Sequence, residues 1–404
     1  MFTLAVFIGI YSYVLMGLGW LGALNWPVIW TVTIGLLVVG LWFIVSRKRS
    51  FDFAQDDRFA WCLMTLLIMQ TIVNLVGALG PERGFDALWY HLPIPKIWLE
   101  AHRIFFIGGN LYYSAMPKLI DMLYVWGETP AKLMHLVFGL LATAVTYKLA
   151  LRFTQSKLWG LLAAVIFYSN LVVGWQSITA YIDLGRTFFE VLAFYLLVSK
   201  KIYRSAIVLG LAMATKTIAI GSLGVLGMLV MLGMGWRKTV KFVGLAILVA
   251  SPWYIFAWVS TGNPVYPIFS GYKLEWEWGF NLLRLSDPIN PIYVMILPVA
   301  WIVRKKIPVV VTAYCLLAFM VWYVTPRTGG GRFLLPYLPV WSVAVAIVIK
   351  RLRDEEKSIS SIKRFLVGIV IILALISIGY RAVANAKYVP VILGEYQLKS
   401  LYKP

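Results

Sequence analysis

Apolar positions in this 404-residue chain come in blocks rather than in alternation. Blocks of roughly 20 residues match the length an α-helix needs to cross a bilayer core. They fall near 3–24, 27–46, 60–80, 129–150, 159–174, 184–199, 205–217, 219–236, 242–260, 288–303, 307–325, 333–350 and 365–382. Residues 205–236 read either as two short spans or as one kinked element. Short basic patches separate alternate blocks. Of 37 Lys and Arg, 21 lie in six such patches: Arg47 to Arg58, Arg152 to Lys157, Lys200 to Arg204, Arg237 to Lys241, Arg304 to Lys306 and Lys350 to Arg364. Cytoplasmic loops carry such an excess of Lys and Arg. The pattern predicts an all-α, polytopic membrane helical bundle of about thirteen transmembrane helices, with the N-terminus inside and the C-terminus outside.

Composition agrees with that reading. The chain is 61% hydrophobic and 13% charged, where a soluble domain is about a quarter charged. The net charge of +20 follows the loop pattern, so it marks topology and not a nucleic-acid partner. Two cysteines, Cys62 and Cys315, both lie in apolar runs, which argues against a disulfide framework or a cysteine metal site. No Lys or Arg precedes Arg47, so residues 3–24 read as a retained span and not as a signal peptide. "TPRTGGGRF" lacks the preceding strand and the Gly-Lys-Ser/Thr of a nucleotide loop. There is no internal repeat and no soluble domain.

Two outer segments are long, near 81–128 and 261–290. The first contains "GFDALWYHLPIPKIWLEAHRI", a charged and aromatic stretch punctuated by proline. It predicts amphipathic juxtamembrane helices. One lies in "PIPKIWLEAHRI", with Pro95 in its first turn. A second lies in "MPKLIDMLYVWG", with Met116, Leu119, Ile120 and Leu123 at helical spacing and Lys118 and Asp121 on another face. Such helices either roof a cavity or only order the loop.

Ionisable groups in or beside spans are costly and are candidates for function. Asp86 follows the third span, and in a helix it shares a face with Tyr90, with His91 alongside. It is either a general base or an interfacial cap. Asp183, in "SITAYIDLGRTFFE", is either a cap or a site residue, while Arg186 and Glu190 are spaced to neutralise each other. Lys216, isolated in "GLAMATKTIAIGS", either snorkels or binds an anion. Arg327 and Arg332 flank the glycines of "PRTGGGRFLLPYLP" on the outer side, where guanidinium meets phosphate or a lipid headgroup. The topology returns all five charges to one membrane face.

Here the residues resemble a family. "DALWYHLPIPKIWLEAHRI" followed by "YSAMPKLIDMLYVWG" is similar to the first outer loop of GT-C glycosyltransferases. The group is that of the dolichyl-phosphate-mannose–protein mannosyltransferases and the lipid A aminoarabinose transferase. "TAYIDLGRTFFEVLAFYLL", "GLAMATKTIAI", "SPWYIFAWVSTGNPVYPIF" and "GRFLLPYLPV" resemble later family stretches in the same order, over roughly residues 60–345. The resemblance implies inverting transfer of a sugar from a polyprenyl-phosphate donor to a glycan, lipid or protein acceptor outside the membrane. It implies Asp86 as the base, Asp183 as a second acidic position orienting acceptor or donor sugar, and Lys216, Arg332 and Arg327 as donor-phosphate ligands. Tyr90 and His91 line the site. Many relatives carry adjacent Asp-Glu in the first loop, whereas Ala87 follows Asp86 here. No cofactor is required by the reading, and a divalent metal is the one left open. The relatives place this loop after the first span; here two spans come earlier.

The expected organisation is one membrane-embedded domain over 1–404. It comprises a two-helix extension (1–58), a GT-C-like core (60–345), and a last transmembrane helix with a short outer tail (346–404). The expected location is the plasma or inner membrane, with the active site on the extracytoplasmic side. Two other readings use the same charges: a transporter or flippase for a lipid-linked or anionic substrate, and a polysaccharide ligase or polymerase. A transporter usually shows an internal repeat and polar residues near the midplane, and neither is evident here. Donor size separates the ligase or polymerase from the transferase.

Overall fold

The structure is a computed structural model and describes residues 1–45, 58–270, 289–325, 330–352 and 360–394. Its helices are α1 (Phe2–Trp20), α2 (Trp26–Val45), α3 (Arg58–Leu79), α4 (Pro93–Glu100), α5 (Glu128–Thr154), α6 (Lys157–Tyr168), α7 (Leu171–Gln176), α8 (Asp183–Val198) and α9 (Ile202–Thr215). They continue with α10 (Ile220–Met234), α11 (Trp236–Thr261), α12 (Ile292–Met295), α13 (Leu297–Ile302), α14 (Val309–Val324), α15 (Leu338–Arg351), α16 (Ser360–Ala386) and α17 (Val389–Ile392). The only β pairing among the described residues is one isolated bridge between Gly108 and Leu111. Among the described residues, six helical segments are long and apolar enough to cross a membrane: Phe2–Trp20, Arg58–Leu79, Glu128–Thr154, Thr217–Met234, Trp236–Thr261 and Ser361–Ala386. The chain is a multi-pass membrane protein.

The centre of the bundle is α8. All its residues except Tyr195 and Val198 are buried, and α5, α7, α9 and α15 surround it. Helix α9 packs closely on α11 because Gly210 has no side chain. A Cβ there would lie 2.6 Å from the Ala246 carbonyl oxygen. The outer helices are inverted in character. On α3, Trp61, Ile68 and Ile72 are exposed, and on α16 Phe365, Ile372 and Ile376 are exposed. Lipid is the solvent that tolerates such rows of apolar side chains.

Helix direction sorts the polar groups to two ends. Helix α8 starts at Asp183, runs about 24 Å at 1.5 Å per residue, and ends beside Lys200 and Lys201. Helix α9 then returns, so Lys216 arrives back at the Asp183 end. At the far end, basic side chains meet carbonyls that helix C-termini leave unpaired. Arg152 donates to the Val198 carbonyl at 3.0 Å, and Lys350 to the Thr154 carbonyl at 2.6 Å.

Two sequence expectations change, and one open alternative is resolved. The 159–174 span is broken between α6 and α7 because the Asn170 amide turns back on its own helix, donating to the Ile166 and Phe167 carbonyls at 2.8 Å. The 205–236 region is two elements. Lys216 adopts an extended backbone (φ −154°, ψ 128°), and a 3-10 turn over Thr217–Ala219 follows it. Finally, "MPKLIDMLYVWG" forms a 3-10 turn (Asp121–Trp126) and is buried, not an amphipathic helix at the interface. Its backbone is sewn to the bundle: Leu119 N–H donates to the Ala214 carbonyl at 3.0 Å, and Ser12 Oγ donates to the Leu119 carbonyl at 2.7 Å. The other expected helix is present as α4. Its Trp98 stacks on Trp253 of α11 with centroids 6.2 Å apart.

The segment over residues 81–128 is anchored by one buried carboxylate. Glu82 accepts N–H bonds from Arg83 (2.8 Å), Gly84 (2.6 Å) and, across the fold, Ala180 (2.5 Å). Its own N–H donates to Glu128 Oε1 at 2.6 Å. Lys132 of α5 donates to the Gly77 and Gly80 carbonyls at the end of α3. Replacing Glu82 by Ala strands two buried N–H donors, those of Gly84 and Ala180, each costing about 1–3 kcal/mol. Glu82→Ala therefore lowers the thermal unfolding temperature in detergent well below that of Glu82→Gln, which keeps one acceptor oxygen. Equal melting of the two variants would remove Glu82 from this role.

Candidate active site

The segment after Glu82 carries Asp86 into the site. Asp86 stands at the start of a π-helical turn, Ala87–His91, and its side chain makes no capping bond. Its backbone N–H donates to Tyr181 Oη at 3.1 Å. Tyr181 is itself held by Tyr124, whose hydroxyl donates to the Tyr181 carbonyl. Burial and the neighbouring Asp86 charge push the Tyr181 phenol up to about 12. It therefore keeps its proton at neutral pH. Because Oη accepts from Asp86 N–H, its own O–H is left to donate.

Asp183 opens α8 but does not cap it; Ile182 holds the cap position, and no side chain bonds there. A histidine does the splicing. His135 Nδ1 lies 2.8 Å from the Gln176 carbonyl and 2.9 Å from the Thr179 carbonyl, while Nε2 lies 2.9 Å from the Leu184 N–H. That pattern fits one tautomer, with hydrogen on Nδ1 and a lone pair on Nε2. His135 thus fixes the turn that presents Asp183, and leaves the Asp183 carboxylate free for other partners. One turn on, Arg186 Nε and Glu190 Oε1 pair at 2.5 Å, and Ser222 Oγ donates to Glu190 Oε2 at 2.5 Å.

Two cations complete the arrangement. Lys216, at the break between α9 and α10, donates to Asp183 Oδ1 at 2.6 Å. Arg332 lies in a 3-10 turn, Gly330–Phe333, and its Nη1 donates to Asp86 Oδ2 at 2.6 Å. Arg332 Nε stands 4.0 Å from Asp183 Oδ2. The charges therefore alternate in a chain: Asp86, Arg332, Asp183, Lys216. Their side chains are 16%, 15%, 1% and 14% exposed. Burial acts against the Arg332 charge, but Asp183 and Asp86 outweigh it and hold the guanidinium more firmly protonated than usual. Aromatic faces enclose the cations. Arg332 lies 5.1 Å from the Tyr181 ring and 5.7 Å from Phe333, and Lys216 lies 5.6 Å from Phe333.

The hydrogen bonding is incomplete. Arg332 Nε, Asp183 Oδ2, Arg186 Nη1 and Thr217 Oγ1 are buried and make no hydrogen bond, although the first two face each other at 4.0 Å. Buried polar atoms in native proteins usually find partners, so these unmet atoms favour a polar guest. A metal is a poorer fit. Among the described residues no three His, Cys, Asp or Glu side chains gather to hold one, and each site carboxylate already faces a cation.

The structure thus brings Asp86, Asp183, Lys216 and Arg332 together. Tyr90 is buried beside them, its ring stacked on Tyr113 at 4.5 Å. His91 packs 5.7 Å from the Tyr181 ring, but its Nδ1 is committed to Asp121 at 2.5 Å. Arg327 lies outside the described residues. Sequence reading missed Tyr181, Glu82 and His135. The signal for His135 was present: a lone histidine inside an apolar span. It also put Lys118 and Asp121 on a polar helix face, whereas both are buried, 3.7 Å apart, with Lys118 4.9 Å from the Tyr90 ring.

No family model matches the chain, and no curated protein does. Solved structures do. The crystal structure of ArnT from Cupriavidus metallidurans bound to undecaprenyl phosphate is similar with a TM-score of 0.59 and 14% identity, over 84% of this chain and 79% of that one. The same protein in the apo state gives a TM-score of 0.57 and 15% identity, over 80% and 76% of the two chains. The fold is therefore that of an ArnT-like polytopic membrane bundle, as the resemblance to GT-C proteins implied.

The buried trio behind the site sets a pH dependence. Burial works against Asp121 ionising, but Lys118 and His91 outweigh it and hold the carboxyl below its usual range. Burial pushes the His91 imidazole below its ordinary 6.5, against the pull of Asp121. Both groups bind fewer protons folded than unfolded, so each withdraws stability as pH falls. His91 acts first, as the unfolded chain begins to take up protons near 6.5. Thermal unfolding between about pH 7.5 and 5.5 should show wild type losing stability on acidification. His91→Gln flattens that dependence; an unchanged slope would show that His91 is not its source.

Proposed function

We propose that this chain is a glycosyltransferase that moves a hexosyl or pentosyl group from a polyprenyl-phosphate carrier to a glycan, lipid or protein acceptor, with inversion, on the extracytoplasmic side. The observation that carries the reading is the convergence of Asp86, Asp183, Lys216 and Arg332 from four distant segments onto one buried cluster. It gains support from the fold likeness to a protein crystallised with undecaprenyl phosphate. Residues 60–345 form the catalytic core in this reading. Residues 1–58 are an extension, and 346–404 a last helix with its tail.

The chemistry needs these residue types. An acceptor hydroxyl attacks the anomeric carbon while its proton passes to the Asp86 carboxylate. The bond between the anomeric carbon and the phosphate oxygen breaks, and its electron pair stays on that oxygen. Polyprenyl phosphate leaves with one more negative charge. Arg332 and Lys216 stabilise that charge where water is scarce, which is often the largest contribution to such a rate. Asp183 holds Lys216 and orients the acceptor or donor sugar. Tyr181 positions the Asp86 backbone. Arg332 also donates bidentately where geometry permits, the usual reason arginine serves phosphate.

Removing a positioned general base costs about 10²–10⁴-fold in rate. Asp86→Asn is expected to lose transfer by that factor while remaining monodisperse after purification. The assay incubates protein with a panel of undecaprenyl-phosphate sugars and detects released undecaprenyl phosphate by mass spectrometry. Wild-type rates in the Asn variant would remove Asp86 from the role of base.

A further inference from the structure

Arg332, proposed to hold the donor phosphate, is already paired with the proposed base. Its Nη1 is bonded to Asp86 Oδ2 at 2.6 Å. That contact engages one of the two carboxylate oxygens of the proposed base. A donor phosphate brings a further anion beside Asp86, so the phosphate and the Asp86 carboxylate compete for the one guanidinium between them. Unmatched charge in a poorly hydrated site is strongly unfavourable.

Which carboxylate yields is set by its anchoring. Asp183 is 1% exposed, bonded to Lys216 at 2.6 Å, and stands on a helix start fixed by His135. Asp86 is more exposed at 16% and stands in a loop turn beside Phe85, which is 71% exposed. Arg332 is already prepared for a second partner, because its buried Nε has no hydrogen-bond acceptor.

From this we infer that Arg332 exchanges partners during the catalytic cycle: it is held by Asp86 when the donor is absent and by the donor phosphate when it is present. The inference rests on the donor-phosphate role proposed for Arg332. Asp86 thereby has two roles. It withholds the guanidinium from adventitious anions, and it becomes available as a base only once the donor has arrived. Donor binding then precedes acceptor activation, and free acceptor, water included, is not deprotonated at an empty site.

The test is a binding experiment and does not need turnover. Purified full-length wild type, Asp86→Asn, Arg332→Ala and the double variant are titrated in detergent with undecaprenyl phosphate, and Kd is read by native mass spectrometry. Couplings between sites usually fall at about 5- to 150-fold. Asp86→Asn is expected to bind on the order of tenfold more tightly than wild type, although it cannot turn over. Arg332→Ala binds more weakly, and the double variant no better than Arg332→Ala alone. Asp86→Ser carries the same expectation where the Asn variant does not fold. Equal or weaker binding by the Asp86 variants overturns the exchange while leaving the proposed function intact. A gain that persists without Arg332 also overturns it, because the gain then does not run through the guanidinium. Failure of both wild type and Asp86 variants to bind undecaprenyl phosphate overturns the carrier-lipid reading and this inference together.

Discussion

A carboxylate taken out of water must find a cation, and here the contact between Arg332 and Asp86 joins ends of the chain 246 residues apart. Asp183 and Lys216 continue the same line of alternating charge. Buried ion pairs contribute little net stability against apolar packing of the same volume, yet removing one partner is severe. Such pairs are better suited to fixing geometry than to stabilising a bundle. The break at Lys216, the short turn at Gly330–Phe333 and the uncapped start of α8 all serve to deliver charged groups to that line.

Behind the charged line stands a layer of hydrogen bonds to the backbone. Glu82 ties the segment over residues 81–128 to the loop before α8 through the Ala180 N–H. Tyr124 and Tyr181 connect the same two regions and end at the Asp86 backbone. His135 sets the α8 start. Each of these residues acts on the backbone of a segment that carries a site residue. Positioning of this kind holds in place the segments that carry the charged cluster.

The membrane bundle was legible because hydrocarbon imposes long apolar runs and a charge rule on loops. Asp86, Asp183, Lys216 and Arg332 were legible for a related reason: an ionisable group in an apolar setting has few bland explanations. Their mutual distances were not, because lateral arrangement of helices leaves no periodic trace in the sequence. The buried role of Lys118 and Asp121 was missed since helical spacing cannot tell a solvated face from one that pairs with His91 inside the fold. Asn170 broke a span for a local reason, its amide competing for the carbonyls of its own helix. The Arg186–Glu190 pair, by contrast, follows directly from i, i+4 spacing and is present at 2.5 Å.

The alternation of charge along Asp86, Arg332, Asp183 and Lys216 also constrains how this sequence can drift. A substitution that deletes one member leaves its neighbour as an uncompensated ion, so single replacements are selected against whether or not the residue touches substrate. Replacing Asp86 together with Arg332, or Asp183 together with Lys216, would restore the charge balance yet remove groups that the proposed function needs. Charge pairing and chemistry thus constrain the same four positions.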